Sequence, residues 1–196
     1  MQRRVFDFLL SWIGVVLVVV LLTAGGILIW ASTYTNDNVR NQLAPQEIFF
    51  PTKAELANAK PHTHVTPSMV PFLKPYAGEQ LLTGQQAKAY ADHFIFVHLY
   101  QMPYHGVYAK VSAAAIASPN NKALQAEKAT SFEGTTLRGL LLEAYGFSVV
   151  GTVTFWAAIA SFILAGVMIV LTALGFWHMS RTSPGAELLG SDTRSR

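Results

Sequence analysis

No cysteine occurs among the 196 residues of the chain. That absence excludes a disulfide scaffold, a Cys-ligated zinc finger and a thiol nucleophile. Charge is scarce as well. Asp, Glu, Lys and Arg make up 13% of the residues, where soluble domains carry about 25%. With 52% hydrophobic residues and a mean hydropathy of +0.33, the composition fits neither a cytosolic globule nor a disordered tail. The net charge of +3 is small and scattered, which argues against a nucleic-acid partner. Also missing are G-x-S-x-G, H-E-x-x-H and a phosphate-cradling glycine loop. Asp92 and His93 are neighbours on an expected helix and cannot face each other as an acid–base pair. The chain is therefore expected not to be an enzyme and to need no cofactor.

What the chain does have is two uncharged apolar runs, Phe8 to Trp30 and Phe147 to Trp177. At 1.5 Å per residue each exceeds the roughly 30 Å of a hydrocarbon core. Trp12, Trp30 and Trp177 fall near the ends of these runs, as interfacial anchors do, while Trp156 lies deeper. The first run is too long for the apolar region of a cleaved signal peptide, so an uncleaved anchor is expected. Arg3 and Arg4 precede the first run and Arg181 follows the second, which puts both termini in the cytoplasm by the positive-inside rule.

The expected fold is an all-α membrane protein of the cytoplasmic (plasma) membrane. A cytoplasmic N-terminus (1–7) leads into transmembrane helix 1 (8–31). An extracytoplasmic helical segment (32–146) follows, with a Pro-rich connection over 51–75. Transmembrane helix 2 (147–177) and a cytoplasmic polar tail (178–196) complete the chain. Neither span contains Asp, Glu, Lys, Arg or His, so both read as anchors rather than as a conduit.

Within the middle segment, Asn36–Asn38 offer caps for a short helix disturbed at Pro45. The clearest helix runs from Gly84 to Gln101. Thr83 caps it with Gln86 three residues on, and Ala87, Tyr90, Phe94 and Val97 form its apolar stripe. Lys88 and Asp92 can pair at i, i+4, and Pro103 ends the helix. Further helices are expected over Tyr108–Ala117 and Lys122–Phe132. Gly134 would then break the chain, and a fourth helix capped by Thr135 or Thr136 would run to Gly146 and could fuse with the second span. No stretch alternates like a strand.

Metal: His62 and His64 form the one tight histidine pair, and an H-x-H pair can offer two imidazoles to a metal ion. It lacks a third ligand at helical spacing, and its flanks are proline-rich, so two solvent-facing loop histidines are the plainer reading. His93 and His98 lie roughly 140° apart on an α-helix and do not share a site. His98 falls toward the apolar side, as a hydrogen-bonded core residue. Small residues mark a helix-packing interface instead: Gly25 and Gly26 in the first span, and Gly151, Ala157, Ser161 and Ala165 in the second.

Several blocks carry a resemblance: Val39–Leu43 (VRNQL), Gln46–Pro51 (QEIFFP), Thr83–His93 (TGQQAKAYADH) and Leu137–Gly146 (LRGLLLEAYG). On these the chain resembles a family of actinobacterial two-span membrane proteins to which no activity is assigned. The resemblance implies the two-span plan with a comparable outer segment and brings no binding residues. Actinobacterial respiratory supercomplexes contain accessory subunits of this general build, an analogy of architecture only.

The expected function is that of a non-catalytic accessory or structural membrane protein. Its partners are the lipid bilayer and a larger membrane complex such as a respiratory assembly, with a homo-oligomer left open. The alternative is an extracytoplasmic ligand- or metal-sensing module, in which His62, His64, Tyr90, Phe94, Tyr100 and Tyr104 would supply the site. A pore-forming homo-oligomer is the third reading.

Overall fold

Two proline-marked breaks, at Ala44–Gln46 and at Ser118–Asn121, separate two long helices from a series of short ones. The structure, a computed structural model, describes residues 3–181. Helix α1 spans Arg3–Leu43. Short helices α2 (Lys53–Ala57), α3 (Val70–Leu73), α4 (Gly84–Tyr90), α5 (Phe96–Gln101) and α6 (Tyr108–Ala117) follow, and α7 runs over Lys122–Arg181. No strand occurs among the described residues. A single antiparallel bridge joins Phe49 and Gln80. The tail expected from 178 onward lies outside the described residues beyond 181.

The chain divides into two compact units: Met1–Ser32 with Val153–Arg196, and Thr33–Thr152. The first unit pairs α1 with α7. Two of the helices are long and apolar enough to cross a membrane, and their most apolar windows are only 11% and 17% buried. Those windows are therefore not packed as the core helix of a globule is. Val16, Val20, Ile163 and Val170 are all more than half exposed, a surface that water disfavours and lipid does not.

Small side chains let the two helices meet. Ser11, Ala158, Ser161 and Ala165 are buried. The Ser161 hydroxyl donates to the Leu21 carbonyl at 2.7 Å. Gly25 leaves room for the Phe162 ring, because a Cβ there would stand 2.7 Å from Cε1. Ala157 and Gly26 are exposed, and Ala158 lies in the contact where Ala157 was expected. Gly151 belongs to the second unit, where it packs on the Asn36 amide.

The second unit wraps short elements around one cluster. Val39 and Leu43 of α1, Leu141 of α7, and Phe50, Leu56, Val65, Met69, Leu73, Leu81, Ala87, Ala91 and Phe94 form its core. Three expectations change here. Asn36–Asn38 cap nothing: α1 runs through them, and the Gln42 side-chain amide donates to Asn38 Oδ1 along the helix at 3.2 Å. The Pro-rich stretch is partly helical: Thr52 and Glu55 form a reciprocal capping box at the start of α2. Gly134 breaks nothing: α7 is continuous from Lys122, and Thr135 and Thr136 lie inside it. A mid-helix glycine costs about 1 kcal/mol relative to alanine. The absent Cβ is used, because one at Gly134 would stand 2.7 Å from Leu99 Cδ2.

The α1–α7 register is open to a direct check. A Cβ built on Gly175 lies 3.8 Å from the Ser11 Cβ, the mean separation across a disulfide. The double variant Ser11→Cys/Gly175→Cys should therefore cross-link on mild oxidation in membranes. Adding Ser161→Leu or Ala165→Leu should lower the yield sharply, while Ala157→Leu should leave it unchanged. Equal losses from all three leucines would contradict this register.

Candidate functional site

Thr83 is an N-cap of α4, accepting from the Gln86 backbone at 3.3 Å while the Gln86 side chain returns to the Thr83 N–H at 3.0 Å. Gly84 brings this end close to α7, where a Cβ would stand 3.2 Å from the Ala144 carbonyl. The expected Gly84–Gln101 helix is present with one change. A π turn occupies Ala91–Ile95 between α4 and α5. Each i→i+5 closure holds more residues per turn than an α-helix, so fixed 100° steps do not carry across it, and such turns recur at functional sites. Beyond the turn Leu99 is the buried residue, and Val97 is half-buried.

On the inner side of this helix aromatic rings form a column. Phe50 meets Tyr76 at 5.1 Å and Tyr90, edge to face, at 5.4 Å. Tyr90 meets Phe94 at 4.5 Å, and Phe94 meets His98 at 4.5 Å. His64 closes the column, 5.1 Å from Phe94 and 5.5 Å from His98. Burial raises the Tyr90 phenol to about 12. His98 Nδ1 lies 2.8 Å from the Phe94 carbonyl. A carbonyl only accepts, so Nδ1 carries the proton, and in the neutral ring Nε2 is then an acceptor. That Nε2 is shut off from solvent and has no hydrogen-bond partner in the protein.

His62 and His64 do not act as a pair. His64 joins the column, whereas His62 sits at a left-handed φ of 59° outside it. Among the described residues no three His, Asp or Glu side chains come together, so the pair gains no third ligand. The aromatics expected to share one site also separate. Tyr90 and Phe94 are in the column, and Tyr100 and Tyr104 are exposed elsewhere.

A second array, which the sequence reading missed, lies on the outer side of α5. The Arg138 guanidinium stands 5.1 Å over Phe96, Phe96 is 5.9 Å from Tyr100, and Tyr100 stacks on His105 at 4.3 Å. Phe96 and Tyr100 are 45% and 55% exposed. Their i, i+4 spacing off the apolar stripe was the available signal. The following turn is strained: Tyr104, His105 and Gly106 take φ values of 56°, 54° and 64°, which costs roughly 1–2 kcal/mol for each non-glycine residue. Gly106 is obligatory, because a Cβ would stand 2.5 Å from the Leu99 carbonyl. The turn is locked from α7, where the buried Ser131 hydroxyl donates to the Gly106 carbonyl at 2.7 Å.

Charge gathers at the Arg138 end of the second array, where Lys88 and Arg138 both pair with Asp92. Burial would raise the Asp92 carboxyl, but bonds from Lys88 and Arg138 outweigh it and hold the group below its ordinary value. Arg138 donates to Asp92 at 2.8 Å across 46 residues of sequence. His93 instead lies flat on Phe72, with ring centres 3.6 Å apart. Burial lowers its pKa from 6.5 against the opposing pull of the Asp92 charge.

Both depressed values contribute to the acid side of the stability profile. The unfolded chain binds protons more readily at each group, so stability rises with pH. The His93 contribution is complete above 6.5 and lost as pH falls through its lower folded value. The Asp92 contribution follows at more acid pH, below 3.8. Thermal melting should therefore begin to weaken just below pH 6.5. His93→Phe keeps the stack on Phe72 and should remove this first weakening, leaving the more acidic one. An unchanged first step in His93→Phe would contradict the assignment.

No protein-family model, curated protein or solved structure matches the chain.

Proposed function

We propose that the chain is a non-catalytic, two-span protein of the cytoplasmic membrane whose second unit, Thr33–Thr152, stands outside the membrane and docks onto a larger membrane complex. Both termini lie in the cytoplasm, where Arg3, Arg4 and Arg181 favour them. A respiratory assembly is the setting that the actinobacterial resemblance suggests. The observation that carries docking is the exposed Arg138–Phe96–Tyr100–His105 ladder. Aromatic and arginine side chains are enriched at interfaces and dominate their hot spots. Rings held in a row beside a strained, locked turn keep their order before a partner arrives, which lowers the ordering cost of association. Neither Phe96 nor Tyr100 belongs to the unit's buried core.

The test is purification of the tagged full chain from its native membrane in mild detergent, with stoichiometry read by mass spectrometry. A larger membrane complex should co-purify in fixed ratio. Phe96→Ser/Tyr100→Ser should lower that ratio about tenfold or more, the loss expected when hot-spot rings worth at least 1.4 kcal/mol are removed. Recovery of the chain alone, or only as a homo-oligomer, would overturn the proposal, as would an undiminished ratio in a folded double variant.

A further inference from the structure

Beside the column lies a cavity of about 440 Å³ between α5 and α7. Its walls are Phe94, Leu99, Met102 and Leu137, with His98 on one side. Its volume falls in the range of small-molecule sites, which are apolar with a few placed polar groups. Glu133 and Thr130 also line it, and both are exposed at its rim.

We propose that this cavity binds a small, neutral, ring-sized apolar molecule that donates one hydrogen bond, from an O–H of the phenol type, to His98 Nε2. The Nδ1–H bond to the Phe94 carbonyl fixes the tautomer of the neutral ring, so in that form the site offers an acceptor and selects a donor. A buried acceptor left unsatisfied is destabilising, and a donor ligand relieves that cost. The Glu133 carboxylate at the rim disfavours an anion. The rings of Phe94 and His64 shield His98. His64 is exposed on a non-helical segment, so its ring can turn aside without moving a helix. A metal fits the same lone pair less well, because no three His, Asp or Glu side chains converge among the described residues.

The five methionines give a site-specific readout that detergent partitioning does not confuse. The full chain carries 13C-methyl methionine, and the Met102 resonance is followed during titration with 1-naphthol. Met69, fully buried in the core, reports that the fold is intact. We expect a saturable shift of Met102 with Met69 unmoved. 1-Methoxynaphthalene keeps the rings and loses the donor, and should bind about tenfold more weakly. His98→Phe keeps the ring and loses the acceptor, and should weaken 1-naphthol by a similar factor. Equal binding of the two naphthalenes, no saturable shift, or a shift with zinc chloride but none with 1-naphthol would each overturn the proposal. The comparison of the two probes on the wild-type chain decides the matter even if His98→Phe does not fold.

Discussion

Burial around Leu141 is what allows the second unit to exist. Its helices between the two long ones are four to ten residues long. Isolated helices below about 12–15 residues are marginal in water, because nucleation is costly and few bonds follow it. These short elements persist by burying Leu56, Leu73, Ala87, Ala91 and Phe94 in one cluster with Leu141, Val39 and Leu43. Capping boxes at Thr52 and Thr83 satisfy the exposed N–H groups at two helix starts and sharpen where each helix begins. The first unit obeys a different rule. Its helices satisfy their own backbone groups, and contact between them depends on small side chains and on bonds such as Ser161–Leu21.

Two backbone irregularities set where the chemistry lies. The π turn at Ala91–Ile95 separates the faces of α4 and α5. His98 is thereby held in the column and Phe96 and Tyr100 in the exposed ladder. The left-handed turn at Tyr104–Gly106 then folds the chain back at once. Its strain is offset by the Ser131–Gly106 bond and by the stacking of His105 on Tyr100. One helix of six residues thus presents a buried, unpartnered imidazole nitrogen on one side and a row of open rings on the other. That division suits the proposed roles of contact and recognition.

The features that were legible in the sequence are local ones. Long uncharged runs mark the two apolar helices. Thr83 with Gln86 marks the start of α4, the Lys88–Asp92 spacing gives an ion pair, and α6 ends where Ser118–Asn121 says it must. His98 is hydrogen-bonded as its place near the apolar stripe implied. What was illegible depends on partners distant in the chain. Gly134 resembles a breaker until Leu99 is seen to fill the space beside it. Arg138 meets Asp92 across 46 residues. His64 reaches the column through a loop that no periodicity describes. The choice of Ala158 over Ala157 in the α1–α7 contact is one step of rotation, which small-residue spacing alone cannot fix. The capping box at Thr52 was legible and was obscured by the surrounding prolines.

Every role proposed for the second unit requires it to stand outside the membrane, and the absence of cysteine makes its side directly measurable. Single cysteines are placed at Asn120, in the turn before α7, and at Ser180, near the last described residue, and are treated with a membrane-impermeant maleimide. Asn120→Cys should label in intact cells, and Ser180→Cys should label only after the membrane is opened. The reverse pattern would place Thr33–Thr152 in the cytoplasm and contradict the proposed orientation.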